Sequence, residues 1–169
     1  MNPGVRPMRP DDFARVQEIE RDAGGLFLPI GMPEIADDEP PGIESLAEYA
    51  EAGRAWVIDL PEEVAAYVLV DVVDRAGHIE QVTVATRYAR RRLGALLIDR
   101  VQDWAGRRGL AKLTLTTFRD VAWNRPYYER LGFREVPEDE IGPEMAQIVA
   151  HEREHGLWRW PRVVMARPT

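Results

Sequence analysis

The sequence predicts a mixed α/β domain of the α+β kind, with a sheet that is antiparallel where turns are short and parallel where helices intervene. Two observations carry this. Three apolar strand candidates, Ala55–Leu60, Val64–Val73 and Ile79–Ala85, follow one another across short turns. Beyond them, strand candidates alternate with helical patterns. The clearest is Leu93–Arg108, where Leu93, Leu97, Val101 and Trp104 recur at helical spacing and Gly109 ends the run.

The remaining elements follow in order. Val5–Met8 is a short strand, and Pro10-Asp11-Asp12 opens a helix whose acids suit its positive end and whose apolar face carries Phe13, Val16, Ile19 and Ala23. Gly24-Gly25 stops it. Four prolines between Pro29 and Pro41 mark a loop with one short helical piece, and Ile43–Ala52 is a second helix. Pro61-Glu62 and Asp74–Gly77 supply the turns between the three central strands. In Ile79–Ala85, residues Ile79, Gln81 and Thr83 face one side and Glu80, Val82 and Val84 the other. Lys112–Thr117 is a strand, Val121–Arg130 a helix introduced by Asp120, Phe133–Val136 a strand, Gly142–His155 a helix and Arg162–Arg167 the last strand. That makes seven strands.

At 169 residues, without a composition break or repeat, the expected organisation is one domain over residues 1–169. Hydrophobic residues at 45% and charged residues at 30% suit a water-soluble core-forming chain. The absence of cysteine rules out disulfides, thiolate metal sites and a cysteine nucleophile. No apolar run is long enough to span a bilayer, and Met1–Pro10 lacks the apolar stretch of a secretory signal, so the expectation is a cytoplasmic protein with no membrane partner. A net charge of −7 argues against nucleic acid as a partner. The basic residues are almost all arginine, and Arg87, Arg90, Arg91 and Arg92 cluster, whereas Glu34, Asp37, Asp38 and Glu39 form an acidic group. One region is therefore suited to an anion and another to a cation.

The anion region is the segment between the strand ending at Ala85 and the helix beginning near Leu93. A helix N-terminus exposes unpaired backbone N–H groups and a partial positive charge. Arg90, Arg91 and Arg92 add guanidinium donors suited to phosphate. Gly94, in the first turn, permits close approach of a ligand to the backbone. A solvated arginine run is the plainer alternative.

Here the chain resembles the GCN5-related N-acetyltransferases (GNAT), whose pyrophosphate loop reads Q/R-x-x-G-x-G/A between strand and helix. The six positions are Ala89, Arg90, Arg91, Arg92, Leu93 and Gly94, with Ala95 next; only the last glycine is kept, Arg92 standing at the first. Further on, Asn124 followed by Tyr127-Tyr128-Glu129-Arg130-Leu131-Gly132-Phe133 is similar to the last motif of that family. The resemblance implies a GNAT-like, mostly antiparallel seven-stranded sheet flanked by helices, with acetyl-CoA as co-substrate. It implies that Val82 and Val84 pair through their backbone with the pantetheine amides, and that Ala89–Ala95 hold the pyrophosphate. It further implies that Asn124, beside Tyr127, contacts the pantetheine arm, that Tyr128 protonates the departing thiolate, and that Glu80 acts as general base, with His78 as the runner-up. A thiolate with a conjugate-acid pKa of about 8.5 gains from a positioned hydroxyl donor.

The activity so implied is direct transfer of an acetyl group to a primary amine of a small molecule or peptide. The alternative is a non-catalytic acyl-CoA-binding or sensing module. A homodimer is a further expected partner. Asp37, Asp38 and Glu39 fall in the loop that shapes the acceptor site in this family, where acids would gather a cationic amine; a solvated loop is the plainer reading. His151 and His155 share a helix face at i, i+4 without a third ligand, which fits a solvated face better than a metal site.

Overall fold

The computed structural model describes residues 4–169; Met1–Pro3 of the N-terminal segment read above lie outside them. Seven strands form one sheet in the order β1-β2-β3-β4-β5-β7-β6. They are β1 (Gly4–Pro7), β2 (Ala55–Asp59), β3 (Val64–Val73), β4 (Ala76–Val84), β5 (Lys112–Phe118), β6 (Arg134–Glu135) and β7 (Arg162–Pro168). The helices are α1 (Phe13–Gly24), α2 (Pro33–Ala36), α3 (Ile43–Glu51), α4 (Leu93–Arg107), α5 (Arg125–Arg130) and α6 (Pro143–Glu154). The chain falls into two compact units, residues up to Val70 with Gln81–Arg100, and Asp71–Glu80 with Val101–Thr169.

In the first unit β2 pairs antiparallel with both β1 and β3. From Val64 to Val70 every residue of β3 is buried, as expected of a strand covered on both faces and written without polar alternation. Helix α1 buries Phe13, Val16 and Ile19. Its entry is fixed by Asp12, whose carboxylate takes two hydrogen bonds from Arg6 (2.8 and 2.9 Å) and one from the Arg9 backbone N–H (2.8 Å). Burial would raise the Asp12 pKa, but these donors outweigh it and hold the carboxyl below its ordinary value.

In the second unit β5 lies between two strands of opposite sense. It runs parallel to β4, with Gly77 opposite Leu113 and His78 opposite Thr114, and antiparallel to β7 along its whole length. The β4–β5 register thus covers two positions, although β4 continues to Val84. Val73, Met145, Val149 and Val164 form an apolar cluster under α6.

Several boundaries differ from those the sequence suggests, and two of the larger shifts, at β4 and α5, have a clear physical reason. The turn after β3 is only Asp74 and Arg75, both with left-handed backbone (φ 49° and 61°), and Ala76 and Gly77 already belong to β4. Gly77 is a close-packing glycine: a Cβ there would stand 3.1 Å from Leu113. Helix α5 begins at Arg125 rather than Val121, because Asn124 turns its side chain back to β5 and Pro126 sits in the first helical turn. β6 shrinks to Arg134–Glu135.

The Asp74 turn also caps α6. Its carboxylate accepts from the backbone N–H groups of Glu144 (3.0 Å) and Met145 (2.8 Å), and the Glu144 carboxylate accepts from the Asp74 N–H (2.7 Å). A side chain at Gly142 would come within 2.5 Å of that carboxylate. Asp74→Ala is expected to cost about 1–2 kcal/mol, the usual range for losing a helix cap, as measured by urea unfolding.

Candidate active site

The arginine-rich segment after β4 is held by tertiary contacts to residues far from it in the chain. After β4, Ala85 is buried and its N–H donates to the Ala65 carbonyl (2.9 Å). A 3₁₀ turn follows at Thr86–Tyr88. Asp22 at the end of α1 accepts from the Thr86 backbone N–H (2.7 Å) and hydroxyl (3.0 Å). The buried Tyr88 ring donates its hydroxyl to Glu63 (2.9 Å), and the guanidinium groups of Arg87 and Arg91 lie over its ring at 4.9 and 5.4 Å. Arg87 also pairs with Glu63 at 3.1 Å. Asp22, Glu63 and Tyr88 were not legible as site residues, since nothing local in the sequence connects them.

Arg90 and Arg92 both adopt left-handed backbone, φ 64° and 60°. Each costs about 1 kcal/mol in a residue bearing a Cβ, and such strain persists only where the surroundings impose it. The main chain is thereby re-aimed twice within three residues, the kind of path from which concave arrays of N–H groups are built. Arg92 takes the conformation that glycine adopts most readily, so its side chain does not prevent the turn. Its carbonyl accepts from Leu96 N–H (3.2 Å), which makes it the residue from which α4 springs. Arg90, Arg91 and Arg92 are exposed, whereas Leu93 and Gly94 are buried and Ala95 is half-buried. Exposed cations, a strained loop and the N-terminus of a 15-residue helix suit a polyanion such as a pyrophosphate. Arg92→Gly is expected to leave stability within about 0.5 kcal/mol, because relief of strain is offset by glycine's larger unfolded-state entropy. Arg92→Val, β-branched, should lose about 1–2 kcal/mol in the same urea titration.

Val82 and Val84 are half-buried on the part of β4 beyond its register with β5. Glu80, the residue before the unit boundary, behaves unusually. Its side chain keeps 47% of its surface. Burial, reinforced by the negative charges of Asp71 and Glu152 and opposed by Arg162, pushes its carboxyl up from 4.5 to about 7. The His78 Nε2 lies 3.7 Å from the Glu80 carboxylate, and its Nδ1 is 3.0 Å from the Thr114 hydroxyl. His78 is 1% exposed, and burial holds its pKa down at about 4, so it is neutral near pH 7 and no ionic partner for Glu80.

The second motif forms a rigid corner. The Asn124 side-chain oxygen accepts from the Thr117 hydroxyl (2.6 Å) and the Phe118 N–H (3.4 Å), leaving the amide nitrogen as donor. Tyr128 N–H donates to the Asn124 carbonyl, and Phe133 N–H to that of Tyr128 (both 3.0 Å). The Tyr128 ring packs edge-on against Tyr127 and Phe133, with centroids 5.3 and 5.8 Å away. Tyr127 is half-buried, and burial, partly offset by Arg130, raises its hydroxyl pKa. Glu80, Asn124, Tyr127 and Tyr128 belong to one compact unit, and Val82, Val84 and Ala89–Ala95 to the other.

Asp37, Asp38 and Glu39 line a cavity of about 580 Å³ with Gln17 and Arg21. His151 and His155 are exposed, their rings 4.2 Å apart. Among the described residues no cluster of three or more His, Cys, Asp or Glu is arranged to hold a metal, and no helix is long and apolar enough to cross a membrane.

Residues 14–133 match the model of the acetyltransferase (GNAT) family. The fold is similar to that of the PaiA N-acetyltransferase from Thermoplasma acidophilum in complex with coenzyme A, with a TM-score of 0.74 and 10% identity over 100% of both chains. It is also similar to the ribosomal-protein-S18-alanine N-acetyltransferase from Escherichia coli, at TM-score 0.67 and 19% identity over 99% of this chain and 94% of that one. A third similar structure is N-acetylglutamate synthase from Neisseria gonorrhoeae complexed with coenzyme A and N-acetyl-glutamate. There the TM-score is 0.75 and the identity 15%, over 99% of this chain and 35% of that one. The strand–loop–helix segment and the Asn–Tyr corner both lie within residues 14–133 that match this family. The chain belongs to the GNAT acetyltransferase family.

Proposed function

We propose that this protein is an N-acetyltransferase, working in the cytoplasm, that moves the acetyl group of acetyl-CoA directly to the primary amine of a small molecule or peptide. The observation that carries this reading is Glu80, a carboxylate poised near neutrality by burial and by Asp71 and Glu152. A group with that affinity takes a proton from an ammonium ion at neutral pH and releases it again, which an ordinary carboxylate does poorly. Glu80 therefore serves as general base, directly or through a water. The Ala89–Ala95 segment and the N-terminus of α4 receive the pyrophosphate. Val82 and Val84 offer backbone partners to the pantetheine amides, and Asn124 its amide nitrogen, with Tyr127 beside it.

In the reaction the freed amine nitrogen bonds to the acetyl carbonyl carbon and the carbon–sulfur bond breaks. The departing thiolate takes the Tyr128 hydroxyl proton, the acylated nitrogen loses its second proton to solvent, and the tyrosine is then reprotonated from solvent. Holding amine and thioester together supplies much of the acceleration. The acids Asp37, Asp38 and Glu39 concentrate cationic acceptors.

The test is a thermal shift with acetyl-CoA and with CoA, followed by thiol release across a panel of amines. Stabilisation by both ligands with amine-dependent thiol release is the expected result. Stabilisation without turnover on any amine would favour a sensing module, and no stabilisation by either ligand would defeat both readings.

A further inference from the structure

Glu80 lies in a field set by four elements: Asp71 on β3, His78 on β4, Glu152 on α6 and Arg162 on β7. Two of these charges are locked together. The β4–β5 register places His78 beside Thr114, and Glu80, two residues on, stands on the same face of β4 as His78, just past the last paired position, as Thr116 stands two residues past Thr114 on β5. Thr116 is one corner of a closed network. Its hydroxyl donates to the Glu152 carboxylate (2.6 Å) and accepts from Arg162 Nη2 (3.0 Å). Arg162 Nε donates to the other Glu152 oxygen (3.2 Å), as does the Trp158 indole N–H (3.2 Å). The guanidinium also lies 4.3 Å over the Phe118 ring. The two charged side chains keep only 10% and 14% of their surface. A buried ion pair stabilises a fold little compared with apolar residues of the same volume, so stability alone gives no reason for one at this place.

We propose that Arg162, fixed by Glu152 and Thr116, is a positioning residue for Glu80, the pair setting the charge environment in which that carboxylate binds and releases its proton. The inference rests on the reading of Glu80 as the base. Its two halves act in opposite senses: the Arg162 cation favours the Glu80 anion, and the Glu152 anion disfavours it. Helix α6 is thereby tied to the acid–base step through a side chain that touches neither reactant.

The experiment uses the full chain with glutamate δ-carbons labelled with ¹³C, the Glu80 signal being assigned by its loss in Glu80→Gln. Arg162→Met should raise the Glu80 titration midpoint, and Arg162→Lys should restore most of it. Glu152→Gln, which keeps the acceptor oxygen, should lower the midpoint. Each shift should be about half a unit or more. Midpoints that stay put, or move in the same direction in both variants, overturn the proposal, because a merely structural network has no reason to give opposite signs. Should Arg162→Met fail to fold by circular dichroism, Glu152→Gln decides alone: a lowered midpoint supports the proposal and an unchanged or raised one overturns it. Turnover measured in parallel keeps the premise separate. If Glu80→Gln retains full activity, the base assignment fails whatever the carbon signals do; if it loses activity while the midpoints fail to move, only the present inference falls.

Discussion

Replacing Tyr128 by phenylalanine is expected to lower kcat by about 10²–10⁴-fold while leaving the affinity for CoA within about twofold, the range in which a positioned acid contributes to proton transfer. The substitution removes one oxygen and keeps the ring, and it is the ring that packs against Tyr127 and Phe133 at 5.3 and 5.8 Å. The backbone bonds that tie Tyr128 to Asn124 and Phe133 are untouched. Chemistry and structure are thereby separable at this position. Steady-state thiol release with a good acceptor, paired with calorimetric CoA binding, measures the two. The loss should shrink when the thioester carries a better leaving group, since a more acidic thiol needs less help from a proton donor. Undiminished turnover would remove Tyr128 from the mechanism.

The second large effect is expected at Glu80. Glu80→Gln should lower kcat/KM by about 10²–10⁴-fold at pH 8 and abolish the rise in wild-type activity through pH about 7, where Glu80 loses its proton. The same substitution has a signature in stability. The folded-state pKa lies above the ordinary value of 4.5, so the folded protein holds this proton more tightly than the unfolded chain does. Below about 4.5 the group weakens the fold by nothing; between 4.5 and about 7 stability is progressively lost; above 7 the loss is complete. Glutamine does not titrate, so the melting temperature of Glu80→Gln should gain on the wild type across that window and keep a constant lead above it. Because the Glu80 side chain is nearly half exposed, solvent screening keeps that lead small. Equal melting temperatures throughout would mean that Glu80 titrates as an ordinary surface carboxylate.

Most of the fold was legible because its signals are local. The apolar run from Val64 to Val70 in β3, the four-residue spacing of Leu93, Leu97 and Val101 and the shortness of the central turns are each local features of the chain, and the sheet contains the seven strands they imply. The misplaced boundaries show where locality ends. Gly77 reads as a turn residue until Leu113 is seen to crowd its α-carbon. Val121–Asn124 reads as helix until the Asn124 side chain is seen to turn back to Thr117 and Phe118.

The candidate site divides in the same way. The arginine-rich segment at a strand–helix junction and the string from Asn124 to Phe133 are written in consecutive residues, and the sequence alone determined both, together with the family. Where a glycine would be expected, Arg92 itself adopts the left-handed backbone, and the loop leading to it is anchored from elsewhere in the chain, by Asp22 gripping Thr86 and by Glu63 gripping Tyr88 and Arg87. Glu152 follows directly on the exposed His151, yet its spacing of seven and three from Met145 and Val149 puts it on the buried face of α6. Burial, counter-charge and strain are sums over residues far apart in the chain and close in space. The sequence could therefore name Glu80 as a carboxylate in the right strand, but only the tertiary structure, by setting Asp71, Glu152 and Arg162 around it, decides that it titrates near 7.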